Sequence, residues 1–141
     1  MSRIPHEIMV FVRRGAEFLV LHRAPELDAY WHVVAGALEG EETPREAALR
    51  ELREELALDA EAIVDLDHRF TYPLAEQTEA VRARFDASVS DIRVDCFVIE
   101  VTPVWEPTLN EEHDGYRWLT AGAAAELLFW PEPRALVLEL T

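Results

Sequence analysis

One stretch of 23 residues, GALEGEETPREAALRELREELAL at 36–58, constrains the fold more than any other part of the chain. It holds a glycine-bearing turn and then a helix whose start is written in residue types. Thr43 suits an N-cap, Pro44 suits the first helical position, and Glu46 completes a Thr-x-x-Glu capping box. Leu49, Leu52 and Leu56 recur at three- and four-residue steps, so the spacing predicts an amphipathic helix to about residue 56. At about 100° per residue, Glu51, Glu54 and Glu55 fall away from those leucines, within an arc of about 100°. Their carboxylates stand one turn apart and can converge, and Arg50 lies four residues before Glu54.

Two readings of these glutamates compete. Glutamates opposite a leucine stripe are ordinarily a solvated face, and like charges at this spacing cost only about 0.2–0.5 kcal/mol per pair. The alternative is a site for a hard cation. Magnesium takes oxygen ligands and often uses one or two protein carboxylates beside water and substrate phosphates. A carbonyl near Gly36 could add a further oxygen. Spacing alone leaves both readings open.

Around this helix the chain alternates strand-like and helical runs. Segments 7–14 and 17–23 are apolar and separated by Gly15, which predicts a hairpin or close pair. Residues 31–40 begin as a strand and turn through Gly36 and Gly40. Strands are expected at 61–74, 92–103 and 114–119, with a polar loop at 75–91, open to a turn of helix, between the first two. Helices are expected at 121–130 and 132–140, with Pro131 between them. The order lacks regular βαβ spacing, so the expected class is α+β (mixed α/β), a mixed sheet packed by helices, in a single domain spanning 1–141.

Composition narrows the function. The net charge is −15, which opposes binding to nucleic acid or to an anionic membrane, since both need a basic footprint. A bound cation would reverse the local sign for a small anionic substrate. All thirteen basic residues are arginine, which removes lysine-based Schiff-base and P-loop mechanisms. Cys96 is the only cysteine, so there is no internal disulfide and no cysteine-based zinc spacing. The first fifteen residues contain no long apolar run, and a cytoplasmic setting is expected.

The same stretch resembles the signature of the Nudix hydrolases. Gly36, Glu42, Arg50, Glu51, Leu52, Glu54, Glu55 and Leu58 occupy the places of Gly-x5-Glu-x7-Arg-Glu-aliphatic-x-Glu-Glu-x-Gly-aliphatic. Ala57 departs from the glycine of that pattern, and Val34-Ala35 stand where many members have Pro-Gly. A left-handed alanine costs about 1 kcal/mol, unless the helix runs on instead. The lead-in YWHVVAGALEG and the tail EEHDGYRWLTAGAAAEL look most like the dihydroneopterin triphosphate pyrophosphatase branch, whereas residues from about 60 to 110 match loosely.

The resemblance implies a Nudix-type α/β/α sandwich and metal-dependent hydrolysis of a diphosphate linkage by water. Glu54 and Glu55 would be ligands of Mg2+ or Mn2+. Glu51 would be a further ligand or hold the attacking water, and Gly36 would offer its carbonyl. Arg50 would orient the carboxylates, and Glu42 would tie down the loop through Arg50. Glu112 would complete the metal site, with Glu111 its near-equal alternative. Arg23 and Arg84 match basic positions that could meet phosphate; each could equally be a surface residue. Trp31 could pack on a substrate ring or simply be core. His32, His68 and His113 have no required part, and Trp105 and Trp118 are left to the core.

The leading expectation is hydrolysis of a nucleoside or pterin triphosphate to pyrophosphate and a monophosphate. Dinucleoside polyphosphates, nucleotide sugars and oxidised nucleotides are the alternative substrates. A non-catalytic ligand sensor is a third reading, opposed by the intact glutamates. The expected partners are a small nucleotide-like diphosphate and, as the family allows, a second copy in a homodimer.

Overall fold

The computed structural model describes residues 2–141. The two apolar runs flanking Gly15 form β1 (His6–Arg14) and β2 (Glu17–Arg23). Gly15, at φ 60°, supplies the left-handed backbone of the reversal. The strands pair at Arg13↔Phe18 and Arg14↔Glu17 and then separate. The vacated edge of β1 takes β4 (Val34–Ala37), antiparallel from Glu7↔Ala37 to Val10↔Val34. On β2, the short β3 (Trp31–His32) and the longer β7 (His113–Thr120) pair antiparallel. The other edge of β1 carries β6 (Asp91–Glu100) in parallel, and β5 (Val64–Pro73) closes that side antiparallel to β6. The sheet is therefore mixed and has seven strands.

Strand alternation divides the core in two. On one face Ile8, Val10, Val12, Leu19 and Leu21 pack against α1 (Pro44–Leu56) through Ala47, Ala48, Leu52 and Leu56. On the other, Met9, Phe11, Phe18, Val20 and Cys96 pack against α3 (Ala121–Leu127) and α4 (Pro131–Glu139). This is the expected α/β/α sandwich. The β5–β6 connection is loop with a single helical turn, α2 (Glu79–Arg82), as its sequence allowed. Pro131 does not lie between two helices; it occupies the first turn of α4, where its missing N–H costs nothing. No helix among the described residues is long and apolar enough to cross a membrane. Trp105 and Trp118 are only partly buried, edge to face at 6.2 Å on the rim of the α1-side core.

Both ends of α1 are set by side-chain chemistry. Thr43 Oγ1 accepts from Glu46 N at 3.2 Å, and Glu46 Oε1 accepts from Thr43 N at 2.9 Å, which completes the capping box. At the far end Ala57 is left-handed, at φ 57° and ψ 34°. Its N–H donates to Arg53 O, and Leu58 N donates to Leu52 O at 3.2 Å, a Schellman closure built on alanine. Of the two outcomes weighed for Ala57, the strained one is realised. Ala57→Gly is expected to stabilise the protein by about 0.5–1 kcal/mol, seen as a melting temperature about 1–4 °C higher. An unchanged or lower value would mean that the strain is relieved elsewhere.

Candidate active site

The buried arc of α1 is not centred on the leucines. Ala47, Ala48, Glu51, Leu52, Glu55 and Leu56 are buried, whereas Leu49 is only partly so. Two of the glutamates thus lie against the sheet instead of on a wet face: Glu51 is 7% exposed and Glu55 1%. Glu54 remains exposed. What makes room for Glu51 is Gly36 on β4. A Cβ built on Gly36 would lie 2.3 Å from Glu51 Oε1 and 2.4 Å from its Cδ. Gly36→Ala is therefore expected to push Glu51 aside and lower kcat/KM about a hundredfold with the fold retained. Steady-state kinetics beside a thermal melt checks this, and wild-type turnover in the variant would refute the packing role of Gly36.

Arg50 ties the loop to the helix. Its Nε donates to Glu42 Oε2 at 2.7 Å and its Nη2 to Glu42 Oε1 at 3.0 Å, a two-pronged pair. Nη2 also donates to Ala37 O at 2.9 Å. Nη1 donates to Glu51 Oε1 at 2.8 Å and to Glu54 Oε2 at 3.1 Å. The guanidinium beside Glu42 holds that carboxyl below its ordinary range.

Glu55 is in a different state. Burial, first, and then a hydrogen bond with Glu51 and the charges of Glu51 and Glu112 hold its carboxyl well above the ordinary range. Glu51 is also raised by burial, opposed by its bond with Glu55 and by Arg50. Two adjoining buried carboxylates resist ionising together, and burial falls more heavily on Glu55. Glu55 Oε2 has no hydrogen-bond partner. Its other oxygen, Oε1, is 3.7 Å from His113 Nε2.

The tail reaches this cluster through β7. Glu55, Glu112 and His113 each present one donor atom, all within 4.8 Å of one another. Asn110 places Glu112: its amide donates to Glu54 O at 3.0 Å, while its Oδ1 accepts from Glu112 N at 3.0 Å. Further back, Glu106 pins the same loop, meeting Arg14 Nη1 at 2.5 Å, Trp118 Nε1 at 2.9 Å and Tyr116 OH at 3.1 Å. Glu111 is exposed.

Arg23, at the end of β2, lies over the Tyr30 ring at 5.2 Å and donates to Leu27 O at 3.2 Å. Its strand partner is His113, which brings Arg23 beside the cluster. Burial, and after it Arg23, lowers His113 to about 4 and His32 to about 3, so both imidazoles are neutral near pH 7. Trp31 does not join the group. It packs on the α3–α4 side, with His22 at 4.9 Å and Arg117 at 5.1 Å from its ring. Arg84 is exposed on the β5–β6 connection, where its carbonyl accepts from Arg3 N. His68 lies beside Phe70 on β5.

His113 and Asn110 are the residues that sequence reasoning missed. Neither has a local signal: His113 is brought in by the β2–β7 register, Arg23↔His113, and Asn110 by a loop crossing the end of α1.

The donor chemistry fits a hard divalent cation. Carboxylates converge from α1 and the tail, one buried oxygen is unpartnered, and a glycine clears their approach.

A sandwich of this topology, with an acidic helix entered from a glycine-bearing strand, defines a class. A family model described as NUDIX domain matches residues 5–140, and the chain belongs to that family. It is an enzyme of the Nudix pyrophosphohydrolase type. It is 30% identical over 122 residues to the dihydroneopterin triphosphate diphosphatase of Escherichia coli K12, covering 85% of this chain and 79% of that protein. The Haemophilus influenzae protein of the same name is 27% identical over 85% of this chain and 75% of its own length. The solved E. coli dihydroneopterin triphosphate pyrophosphohydrolase superposes with a TM-score of 0.84 at 25% identity, over 99% of this chain and 96% of that one. A Myxococcus xanthus protein named octanoyltransferase is 35% identical over 86% of this chain, but the chain spans only 32% of its length. That name is not carried over.

Proposed function

We propose that this protein hydrolyses a diphosphate linkage in a nucleoside or pterin triphosphate, releasing pyrophosphate and a monophosphate, with Mg2+ or Mn2+ bound at Glu51, Glu54, Glu55 and Glu112. The observation that carries the reading is the buried Glu55 carboxyl, with one oxygen unpartnered, converging with Glu112 from the tail. The likeness to the two diphosphatases over most of their length supports the substrate class.

A divalent ion there would neutralise the phosphate oxygens and lower the pKa of bound water. The chain's own residues supply the rest. Arg50 holds Glu51 and Glu54 in register with the loop through Glu42, so the carboxylates are oriented before substrate arrives. Glu51, held by Arg50, is placed to accept the proton of the attacking water. Arg23, above the same cluster, meets the anionic chain of the substrate. Tyr30, Phe129 and Trp130 form an aromatic group with centroids 4.9–5.7 Å apart next to Arg23, suited to a flat heterocycle.

A metal-dependent turnover screen tests this, with deoxynucleoside triphosphates, dihydroneopterin triphosphate, diadenosine polyphosphates and nucleotide sugars as substrates. Products are identified by mass, and Glu54→Gln and Glu55→Gln serve as controls. Pyrophosphate plus a monophosphate, lost in both controls, is expected. Turnover confined to dinucleotides or sugars would replace the substrate, and none at all would favour a sensor.

A further inference from the structure

We propose that His113 is a nitrogen ligand of the cation held by Glu55 and Glu112, and that it makes the site discriminate in favour of a first-row transition ion over Mg2+. The proposal rests on the reading that this cluster binds a divalent cation; it adds a donor atom and an ion class.

His113 opens β7, where pairing with Arg23 and the bond from Ala24 N to Glu112 O at 2.9 Å fix its backbone. Its ring is sealed in, the residue being 4% exposed. Yet neither Nδ1 nor Nε2 has a hydrogen-bond partner. A buried imidazole ordinarily anchors itself through at least one nitrogen, and which one is free is set by the bond the other makes. Here the ring faces a carboxylate that is itself short of a partner: Nε2 stands 3.7 Å from Glu55 Oε1, and Glu55 Oε2 is orphaned.

That separation is too long for a hydrogen bond. It suits two atoms that share an ion. Ligand atoms about 2.1 Å from one ion stand about 3 Å apart when adjacent and about 4.2 Å when opposite. The Nε2–Oε1 distance is below the upper limit, so one ion can reach both atoms, and a Glu112 oxygen lies in the same cluster. A site made only of oxygens would serve Mg2+ well. An imidazole in the first sphere shifts preference toward ions that accept nitrogen, because Mg2+ dehydrates reluctantly and takes oxygen.

The test uses the full chain loaded with Mn2+ as a paramagnetic probe. Electron spin-echo modulation is expected to show 14N coupling from a directly bound imidazole. That coupling is expected to vanish in His113→Gln and persist in His32→Gln. In parallel, the ratio of Co2+ to Mg2+ affinity, read by competition, is expected to fall at least tenfold in His113→Gln. His113→Leu, which suits the burial of the site, replaces the glutamine variant if that one misfolds. Mn2+ bound without 14N coupling in the wild type overturns the proposal, as does coupling that survives the loss of His113. If the wild type also releases pyrophosphate in that case, only the nitrogen ligand is wrong. Failure of the wild type to bind any divalent ion removes the cation reading and this one together.

Discussion

Glu55→Gln is expected to do two opposite things: lower turnover about a thousandfold and make the metal-free protein more stable. A thousandfold corresponds to about 4 kcal/mol of lost transition-state stabilisation, a reasonable share for a group proposed to hold the cation. The stability gain follows from burial. Glu55 lies against the sheet with an unpartnered oxygen, and its folded carboxyl titrates well above the ordinary range. A carboxyl raised in the folded state contributes its full stability below the unfolded pKa. That contribution is lost as pH rises through the folded value. Glutamine has no such loss, and its amide can still donate to Glu51. In chelator, the two proteins should therefore melt together near pH 4 and diverge as pH rises. By pH 8 the variant should lead by about 1–3 kcal/mol, or about 3–9 °C. Adding a divalent ion should reverse the order at pH 8. A variant that melts below the wild type in chelator at every pH would show that Glu55 is stabilising in its own right.

Arg50→Lys is expected to cost about a hundredfold in kcat/KM and about 2 kcal/mol in stability, although charge is conserved. The guanidinium joins both oxygens of Glu42, one each of Glu51 and Glu54, and the carbonyl of Ala37. An ammonium is a point donor and cannot reproduce that fork, so at least two charge-assisted bonds go unmade. The loss should include a higher metal requirement, because Glu51 and Glu54 would no longer be held together. Kinetics at saturating metal and a denaturant melt check both parts. A lysine variant within threefold of wild type would leave Arg50 as an ordinary surface pair.

Much of this arrangement was legible in the chain, for physical reasons. The capping box at Thr43 and Glu46 and the hairpin about Gly15 are local, written within four residues of where they act. The link between Arg50 and Glu42 follows from the family resemblance and appears in the structure as a pair of hydrogen bonds. The orientation of α1 was harder to read. Ala47 and Ala48 carry weak hydrophobic signal, so the pattern ran through Leu49, Leu52 and Leu56, whereas the helix turns to bury both alanines with Glu51 and Glu55 and leaves Leu49 partly out. Exposure is the default for a glutamate, and nothing local announces the exception. Alternation across β3 sends Trp31 and His32 to opposite faces, and Trp31 packs on the α3–α4 side. His113 and Asn110 depend on contacts across more than fifty residues, and no spacing rule reaches that far.

The double anchorage of the tail has a consequence for timing. Between Glu106, clamped by Arg14, Trp118 and Tyr116, and Asn110, bonded to the end of α1, only three residues intervene. Beyond that tether, Glu112 N donates to Asn110 Oδ1 and Glu112 O accepts from Ala24 N, so the backbone at Glu112 is held as well. If Glu112 serves the site as proposed, its carboxylate would be in place before substrate arrives, with no closing flap to deliver it. Encounter and capture should therefore occur in a single kinetic phase, without a lag that depends on the arrival of this loop.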